Sequence, residues 1–352
     1  MIVGRRGLAL IFFMLPCLGL AEVFDLPPAG NDVVGAITTI QARADDTLLE
    51  IARRHGLGYQ DIVRANPDVD TWLPGEGTKV VLPTRYVLPS GQRRGLILNL
   101  PEYRLYYFPE PQAGEPAVVM TYPISIGRMD WETPLGLTSV ISKVSNPAWY
   151  PPASVRAEHA ADGDPLPRIV PPGPDNPLGK YAMRLGLPGY LIHGTNRPAG
   201  VGMRVTHGCI RLFPEDIGFL FGQVDLNTPV RIINEPVKIG WSGDELLVEV
   251  HQPLEITPPP ATELAEDSGS DMPASEDSEA VAEAIPPAPI VRDQLTALTE
   301  QFVAATNARP GELYWEIAEQ LLERANGVPT LAGRQIKDAA TSAASEKVPS
   351  SL

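Results

Sequence analysis

The residues best suited to chemistry are concentrated in one part of the sequence, where a cysteine lies among histidines, glycines and an arginine. The members of this cluster are His193, Gly194, Thr206, His207, Gly208, Cys209 and Arg211. A thiol attacks an acyl carbon well only as the thiolate, so a cysteine nucleophile needs a nearby base or cation and donors for the developing oxyanion. Imidazole rings and backbone N–H groups supply both. The pattern therefore predicts acyl transfer by a cysteine.

The chemistry of each residue in the cluster suggests a part for it. Either His193 or His207 can take the thiol proton. Gly208 lets the backbone approach closely, so that N–H groups around Cys209 face a bound carbonyl. Arg211 follows Cys209 by two residues and is expected on the same side of a strand, where its guanidinium can hold a substrate carboxylate through two hydrogen bonds.

Two other interpretations of the cluster stay open at this point. His193, His207 and Cys209 can be read as metal ligands, although exported zinc sites usually draw on further ligands at tighter spacing. The cysteine can also be a buried, inert residue with unrelated histidines beside it. The remaining histidines are expected at the surface rather than in catalysis: His55, His159 and His251. No cofactor is expected.

The composition of the chain predicts several units rich in turns. Of its 352 residues, 38 are proline and 31 are glycine, a content that excludes a helical bundle and favours short strands joined by turns. The formal net charge of -15 argues against nucleic acid as a partner. Two cysteines are too few for a disulfide-rich scaffold or a multi-cysteine metal site.

Residues 1–21 have the pattern of a cleavable secretory signal. A short basic stretch precedes the almost wholly apolar run Leu8–Leu20, and small residues lead to a predicted cleavage after Ala21. An uncleaved anchor is the alternative, although the run is shorter than the roughly 20 apolar residues that a spanning helix needs. The protein is therefore predicted to be exported. If Cys17 is removed with the signal, Cys209 is the sole thiol of the mature protein.

The segment 37–83 has the pattern of a small βααβ domain. Strands are predicted at Ile37–Gln41 and Thr78–Leu82, a helix after the capping pair Asp46-Thr47, and a second helix at Tyr59–Arg64. A more specific similarity rests on Asp45–Ala52, Gly56, Ile62, Asn66, Leu73-Pro74-Gly75 and Val80–Pro83. Through these residues the segment resembles the LysM module, which implies glycan strands containing N-acetylglucosamine as a partner. A structural domain without a ligand is the alternative.

The segment 96–234 resembles the catalytic domain of the L,D-transpeptidases (YkuD). The resemblance rests on His193-Gly194-Thr195, a spacer and Thr206-His207-Gly208-Cys209, together with earlier strand-like segments. Those segments are Leu96–Leu105, Tyr122–Gly127 and Thr133–Gly136. With the motifs Pro236–Trp241 and Glu249–His251, the chain is further similar to the ErfK/YbiS/YcfS/YnhG group of periplasmic cell-wall enzymes. The implied fold is mainly β, with an antiparallel β-sandwich as the catalytic domain.

The resemblance also implies roles and a reaction. Cys209 becomes the nucleophile, and His193 the general base and later acid, oriented by the backbone carbonyl of Gly194. The residues expected to build the oxyanion hole or to contact substrate are Gly194, Thr206, His207, Gly208 and Arg211. The implied substrate is a peptidoglycan stem tetrapeptide, which loses its terminal D-Ala and leaves a thioester on the enzyme.

Three acceptors for this acyl group stay open. An amine of a neighbouring stem gives a 3-3 cross-link, a lysine of an outer-membrane lipoprotein gives a protein anchor, and water makes the enzyme an L,D-carboxypeptidase. Two further alternatives are a sortase-like transpeptidase and a non-catalytic wall-binding protein that acts through its LysM-like unit. The segment 146–189, rich in proline and glycine, is expected to form either a lid over the site or a structural loop.

The end of the chain is predicted to differ from the catalytic domain. Residues 235–255 form a C-terminal β extension, and 256–290 a disordered acidic linker with eight acidic residues and no lysine or arginine. A helical tail follows at 291–328. Its helices are predicted at Asp293–Asn307 and from Pro310-Gly311 onwards, and they pack on this chain or bind a partner.

Overall fold

The computed structural model describes residues 22–111, 113–128, 131–254 and 293–337. The predicted signal peptide and the predicted acidic linker lie outside the described residues, so they remain predictions. The helices are α1 (Leu48–Arg54), α2 (Tyr59–Ala65), α3 (Ala153–Ala161), α4 (Pro214–Gln223), α5 (Gln294–Thr306) and α6 (Trp315–Arg324). Within the described part of the chain, none of these is long and apolar enough to cross a membrane.

The N-terminal unit has the βααβ order that its sequence predicts. Strands β2 (Val33–Gln41) and β3 (Lys79–Val87) form an antiparallel pair, and α1 and α2 connect them. Helix α1 begins after Thr47, whose hydroxyl accepts the Glu50 N–H while the Glu50 carboxylate accepts the Thr47 N–H. A small apolar core closes the unit: Ala42, Leu48, Ile51, Ala52, Leu57, Ile62, Val80 and Leu82.

Nine strands form the main sheet. In chain order they are β1 (Glu22–Asp25), β4 (Gly95–Asn99), β5 (Arg104–Phe108), β6 (Val118–Pro123), β8 (Gly136–Ser145), β9 (Tyr181–Leu185), β10 (Leu191–His193), β12 (Ile210–Arg211) and β13 (Pro229–Ile233). Their order across the sheet is β1-β6-β5-β4-β13-β8-β9-β10-β12. Six neighbouring pairs are antiparallel, whereas β4 with β13 and β10 with β12 are parallel.

The prediction of a mainly β catalytic domain is confirmed. The structure has one curled sheet at the position where the sequence predicts the two sheets of a sandwich, because twist between successive strands bends a sheet of this width. Strands β7 (Ile126–Gly127) and β11 (Arg204–Thr206) form a separate parallel pair beside it. The buried core under the sheet includes Leu96, Leu98, Leu105, Tyr122, Ile124, Val140, Met183, Ile192, Ile210, Ile217 and Leu220.

The C-terminal unit is built from strands as well as helices. The strands β14 (Val237–Ser242), β15 (Glu245–Val250), β16 (Gly311–Leu313) and β17 (Thr330–Gln335) form a sheet in the order β14-β15-β17-β16. Leu298 of α5 and Ala318 and Leu321 of α6 share one buried core with this sheet. Of the two possibilities left by the sequence, packing on the same chain is therefore the one observed.

The predicted start of the second C-terminal helix is wrong. Residues Gly311–Leu313 form β16, and α6 begins only at Trp315. The reason is tertiary pairing: Leu313 is buried and pairs with Gly333 of β17, which itself covers the edge of β15. A local helix signal was outweighed by pairing with a distant strand. The predicted helix from Asp293 is confirmed as α5, with the Asp293 side chain accepting the Thr296 N–H at its first turn.

Candidate active site

The parallel pairing of β10 with β12 brings the segment that follows the cysteine alongside one histidine. In this register Ile192 lies opposite Ile210 and His193 lies opposite Arg211. Side chains alternate between the two faces of a strand, so His193 and Arg211 share a face, and Cys209 immediately precedes β12. The charge of Arg211 acts on both His193 and Cys209, so the structure places these two residues around the same guanidinium.

The His193 ring is buried and has a fixed orientation. Its Nδ1 lies 2.6 Å from the carbonyl oxygen of Gly194. Because a carbonyl oxygen only accepts, Nδ1 must carry the proton and Nε2 is left with a free lone pair. Burial, reinforced by the charge of Arg211, lowers the pKa of His193 to about 3, although the bond to Gly194 acts in the opposite direction. The imidazole is therefore neutral at physiological pH and able to accept a proton.

The Cys209 thiol is half-buried and protonated in the resting protein. Its Sγ lies 3.6 Å from the carbonyl oxygen of Gly189. Loss of solvation raises the pKa of Cys209 to about 11, while the backbone of Leu191 and the charge of Arg211 oppose the rise. A neutral thiol at Cys209 and a neutral imidazole at His193 are thus the resting state. The thiolate is expected to form only as the proton moves to His193.

Hydrogen bonds hold the chain turn that carries the thiol. The hydroxyl of Thr206 donates to the carbonyl oxygen of Cys209 at 2.6 Å and closes the turn. Gly208 has φ +96°, and a Cβ at this position would lie 2.9 Å from a carbon of the Tyr190 ring. Because only glycine adopts this backbone without strain and fits beside the ring, the identity of Gly208 is set by the fold.

The His207 ring is paired with a carboxylate of α3. Its Nε2 lies 3.0 Å from Glu158, which also forms an ion pair with Arg128. The Trp131 ring stands edge-on to His207, with centroids 5.3 Å apart. Burial lowers the pKa of His207, and the Glu158 carboxylate acts against this shift. Of the two histidines left open as bases by the sequence, His207 is paired with a carboxylate, whereas Nδ1 of His193 is paired with a neutral backbone carbonyl.

The segment 146–189, predicted as a loop, contains α3 and the sheet strand β9, and α3 reaches the site through its contact with His207. Asn176 ties this loop to itself: its amide donates to the carbonyl oxygens of Pro147 and Pro171 at 2.9 and 3.1 Å, and its Oδ1 accepts the Leu178 N–H. The part of the segment around Asn176 is thus internally braced, and the segment contacts the motif around Cys209 through Glu158 and the Gly189 carbonyl. Whether the loop acts as a lid stays a prediction.

Arg211 keeps donor capacity for an anion. Its Nε is buried and has no hydrogen-bond partner among the described residues. A buried guanidinium donor without an acceptor is costly, and a carboxylate matches it in charge and geometry. The predicted contact with a substrate carboxylate is therefore compatible with the surroundings of Arg211.

A second polar cluster, absent from the sequence predictions, lies at the C-terminal unit. We call it the lysine cluster, and its members are Glu102, Lys238, Glu249 and His251. Lys238 Nζ lies 2.8 Å from Glu102 and 2.9 Å from Glu249, and His251 Nε2 lies 2.6 Å from Glu249. All four side chains are buried, so the predicted surface position of His251 is wrong. Its burial depends on a strand pairing that a single sequence does not reveal.

The arrangement of these groups bears on the metal interpretation. Among the described residues, the grouping with the spacing of metal ligands is Glu102, Glu249 and His251, not the histidines around Cys209. In that grouping the ammonium of Lys238 already bridges the two carboxylates. The Lys238 ammonium therefore occupies the position between the carboxylates that a metal ion would need.

Comparison with known proteins agrees with the geometry. The model of the L,D-transpeptidase catalytic domain (YkuD) matches residues 93–232. The chain is 44% identical over 240 residues to the probable L,D-transpeptidase YcfS of Escherichia coli, covering 66% of this chain and 74% of that protein. It is 44% identical over 239 residues to the probable L,D-transpeptidase ErfK/SrfK of Salmonella typhimurium, covering 67% and 76%.

Solved structures give a weaker likeness of the same kind. The catalytic domain of an Enterococcus faecium L,D-transpeptidase acylated by ertapenem aligns with 41% of this chain and 100% of its own, at 23% identity and a TM-score of 0.30. The sequence relationships, which extend over two thirds of this chain and about three quarters of each relative, decide the assignment. The chain belongs to the L,D-transpeptidase family.

Proposed function

We propose that this protein is a peptidoglycan L,D-transpeptidase in which Cys209 is the nucleophile and His193 the general base and acid. The observation that supports the assignment is the pairing of β10 with β12, which sets His193, with its proton held on Nδ1, opposite Arg211, two residues after Cys209. The Gly194 carbonyl serves as the group that orients the histidine, as the acidic member does in a Ser-His-Asp triad.

In the first half-reaction the thiol attacks the carbonyl of the third residue of a stem tetrapeptide, at the L-centre of its diamino acid. The Cys209 proton passes to Nε2 of His193 as the C–S bond forms, which removes the need for a thiolate in the resting enzyme. The tetrahedral oxyanion is held by backbone N–H groups around Gly208 and Cys209. The intermediate collapses when His193 returns the proton to the leaving amine and D-Ala departs.

In the second half-reaction an amine attacks the thioester. His193 takes a proton from that amine, the new amide forms, and the thiol leaves with the proton that His193 gives back. An amine of a neighbouring stem gives a 3-3 cross-link, and a lysine of an anchored lipoprotein gives an attached protein. With water in place of the amine, the protein is an L,D-carboxypeptidase.

The remaining motif residues are assigned to binding and support. Arg211 holds a substrate carboxylate with the donors that its surroundings leave free. Thr206 and Gly208 fix the turn that presents the nucleophile, as their contacts in this turn indicate. His207 contributes to the wall of the oxyanion hole from its position between Trp131 and α3.

The N-terminal unit is assigned to glycan binding in the manner of a LysM module. On its loop between α2 and β3, Trp72 is 65% exposed, and Asp70 accepts the backbone N–H groups of Trp72 and Leu73. A braced loop with an exposed aromatic face suits the flat surface of a sugar ring. We assign the protein to the periplasm, where its substrate lies and where the predicted signal peptide would direct it.

The test is incubation of the purified protein with tetrapeptide muropeptides, followed by mass spectrometry of the products. Loss of D-Ala with a new amide between two stems identifies a transpeptidase, and loss of D-Ala with gain of water identifies a carboxypeptidase. Adding a lysine-bearing peptide as a competing acceptor examines the lipoprotein route. Unchanged muropeptides with the folded protein contradict the proposal, and Cys209→Ala is the control for contaminating activity.

A further inference from the structure

Thr133 lies beneath the peptide bond that precedes the nucleophile. Its hydroxyl donates to the carbonyl oxygen of Gly208 at 2.7 Å and accepts the N–H of Gly127 at 3.1 Å. The Thr133 side chain is buried, with 6% of the residue exposed. The hydroxyl therefore uses its proton and one lone pair on two fixed backbone groups, one of which belongs to the peptide that joins Gly208 to Cys209.

The geometry of a peptide bond turns this contact into a constraint on the nucleophile. In a trans peptide the C=O and the N–H point in opposite directions. The carbonyl of Gly208 and the N–H of Cys209 belong to the same planar unit, so anchoring the carbonyl on Thr133 directs the N–H to the opposite side. A donor on the backbone of the nucleophile itself is a usual component of an oxyanion hole.

The contact with Thr133 matters at Gly208 because the backbone of a glycine can adopt many conformations. At φ +96° glycine has no Cβ to restrict rotation of the adjacent peptide, so the peptide plane must be held by other contacts. The neighbouring segment is close on this side: a Cβ on Gly127 would lie 3.0 Å from the Cα of Gly208. The Thr133 hydroxyl, six residues after Gly127, makes such a contact with the Gly208 carbonyl.

We propose that Thr133 is a positioning residue, which orients the Gly208–Cys209 peptide so that the Cys209 N–H faces the substrate carbonyl oxygen as it becomes an oxyanion. The inference rests on the proposed role of Cys209 as the nucleophile. Thr133 itself does not touch the reacting atoms. Its loss is expected to slow formation of the tetrahedral intermediate and to leave the nucleophilicity of the thiol unaltered.

Two reactions of the same thiol separate these effects. In acylation by ertapenem, Sγ bonds to the ring carbonyl carbon, the C–N bond of the ring breaks, and the ring nitrogen takes the proton that left the thiol, so an oxyanion forms on the way. In alkylation by iodoacetamide, Sγ displaces iodide at a saturated carbon and the thiol proton goes to solvent, so no oxyanion forms. Both products stay on the full chain and are followed by intact mass.

The variants are Thr133→Val, which keeps the shape and removes the hydroxyl, and Thr133→Ser, which keeps the hydroxyl. Thr133→Val is expected to lower the acylation rate by about 10- to 100-fold, somewhat less than loss of a direct oxyanion donor, with iodoacetamide alkylation within about twofold of wild type. Thr133→Ser is expected to restore most of the rate. Thr84→Val is the matched control, because the Thr84 hydroxyl also donates to a backbone carbonyl, that of Ala36, in the N-terminal unit.

The outcomes are distinct. If wild type acylates and Thr133→Val acylates as fast, the positioning role is overturned while the function of Cys209 stands. If Thr133→Val loses acylation and alkylation together, or if Thr133→Ser fails to rescue with an unchanged melting temperature, the role is also overturned. If wild type itself does not acylate, the proposed function has failed instead.

Discussion

The lysine cluster and the candidate active site differ in how completely their groups are paired. In the lysine cluster, buried charges neutralise one another, and Lys238 also donates to the carbonyl oxygen of Val87 at 2.7 Å. In the candidate active site the Cys209 thiol and the His193 imidazole are neutral at rest, and the lone pair of the imidazole lies on Nε2. The lysine cluster, in which the charged groups are paired, has the features of a structural contact. The candidate active site, in which the thiol and the imidazole are neutral, has the features of a catalytic site.

The contrast follows from the cost of burying charge. A buried ion pair is tolerated only when its partners and hydrogen bonds are complete, and a complete set leaves nothing to react with a substrate. The lysine cluster joins the end of β3, the turn after β4 and the C-terminal sheet through such a set. Catalysis instead needs a group whose bond is made only in the transition state. Unpaired donors and acceptors are therefore a better guide to function here than density of charge.

The largest effect is expected at the nucleophile. Cys209→Ser should lower the rate of D-Ala release by about 10⁴-fold or more, because an alkoxide is far harder to generate than a thiolate with one histidine as base. The melting temperature should change little, since the contact of the thiol with the Gly189 carbonyl is long, at 3.6 Å. The measurement is the rate of D-Ala release at saturating muropeptide. A Cys209→Ser protein that turns over at a tenth of the wild-type rate or faster would remove the nucleophile assignment.

The next effect should appear in stability at the lysine cluster. Lys238→Met leaves Glu102 and Glu249 buried without their shared cation, which should lower the free energy of unfolding by about 3 to 5 kcal/mol. The measurement is urea denaturation. Lys337→Met is the matched control, because Lys337 forms an exposed ion pair with Asp244 and should matter by less than about 1 kcal/mol. Equal effects of the two substitutions would contradict a structural role specific to the buried cluster.

The pH dependence of thiol reactivity sharpens the description of the resting site. The pKa of Cys209 is raised to about 11 and that of His193 is lowered to about 3, so neither group is charged near neutrality. The thiolate fraction, and with it the rate of iodoacetamide alkylation, should rise about tenfold per pH unit between about pH 6 and 9. The measurement is that rate across this range. A plateau beginning near pH 5 would instead indicate a preformed thiolate–imidazolium pair.

The smallest effect is expected where the N-terminal unit meets the catalytic domain. Arg53 and Glu215 form a two-point ion pair at 2.7 and 2.8 Å, but both side chains retain solvent contact, at 42% and 30% exposure. Arg53→Met should therefore change the free energy of unfolding by no more than about 1 kcal/mol. Denaturation in low and high salt is the measurement. A loss of unfolding free energy near that of Lys238→Met would contradict the expected difference between the exposed Arg53–Glu215 ion pair and the buried lysine cluster.

The parts of the fold that depend on local signals could be predicted from the sequence. Helix α1 begins where Thr47 and Glu50 cap each other, and both are visible in the sequence. The start of α6 could not be predicted, because Gly311–Leu313 is held as a strand by residues beyond the helix. The burial of His251 depends likewise on its contact with Glu249 inside a folded sheet.

The residues of the candidate site likewise divide into those in a local motif and those that only tertiary contacts reveal. The spacing of His193 and Cys209 predicts both residues, since it is a local motif with a known chemistry. The contact of Thr133 with Gly208 joins positions 75 residues apart, so no spacing rule indicates it. The available signal was the segment Thr133–Gly136, which resembles the family, but the sequence alone does not show which group its hydroxyl contacts. The resemblance already implies His193 rather than His207 as base, and the pairing of His207 with Glu158 agrees with that choice.

The most direct test of the central claim is intact-mass analysis of the full chain after mixing with ertapenem at neutral pH. A thiol at Cys209, deprotonated by His193 during attack, should open the ring and retain one molecule of drug as a thioester. We expect one adduct on the wild-type protein, none on Cys209→Ala, and formation slowed by about 100-fold or more on His193→Ala. An unchanged mass of the folded wild-type protein, or an adduct that persists on Cys209→Ala, would contradict the account.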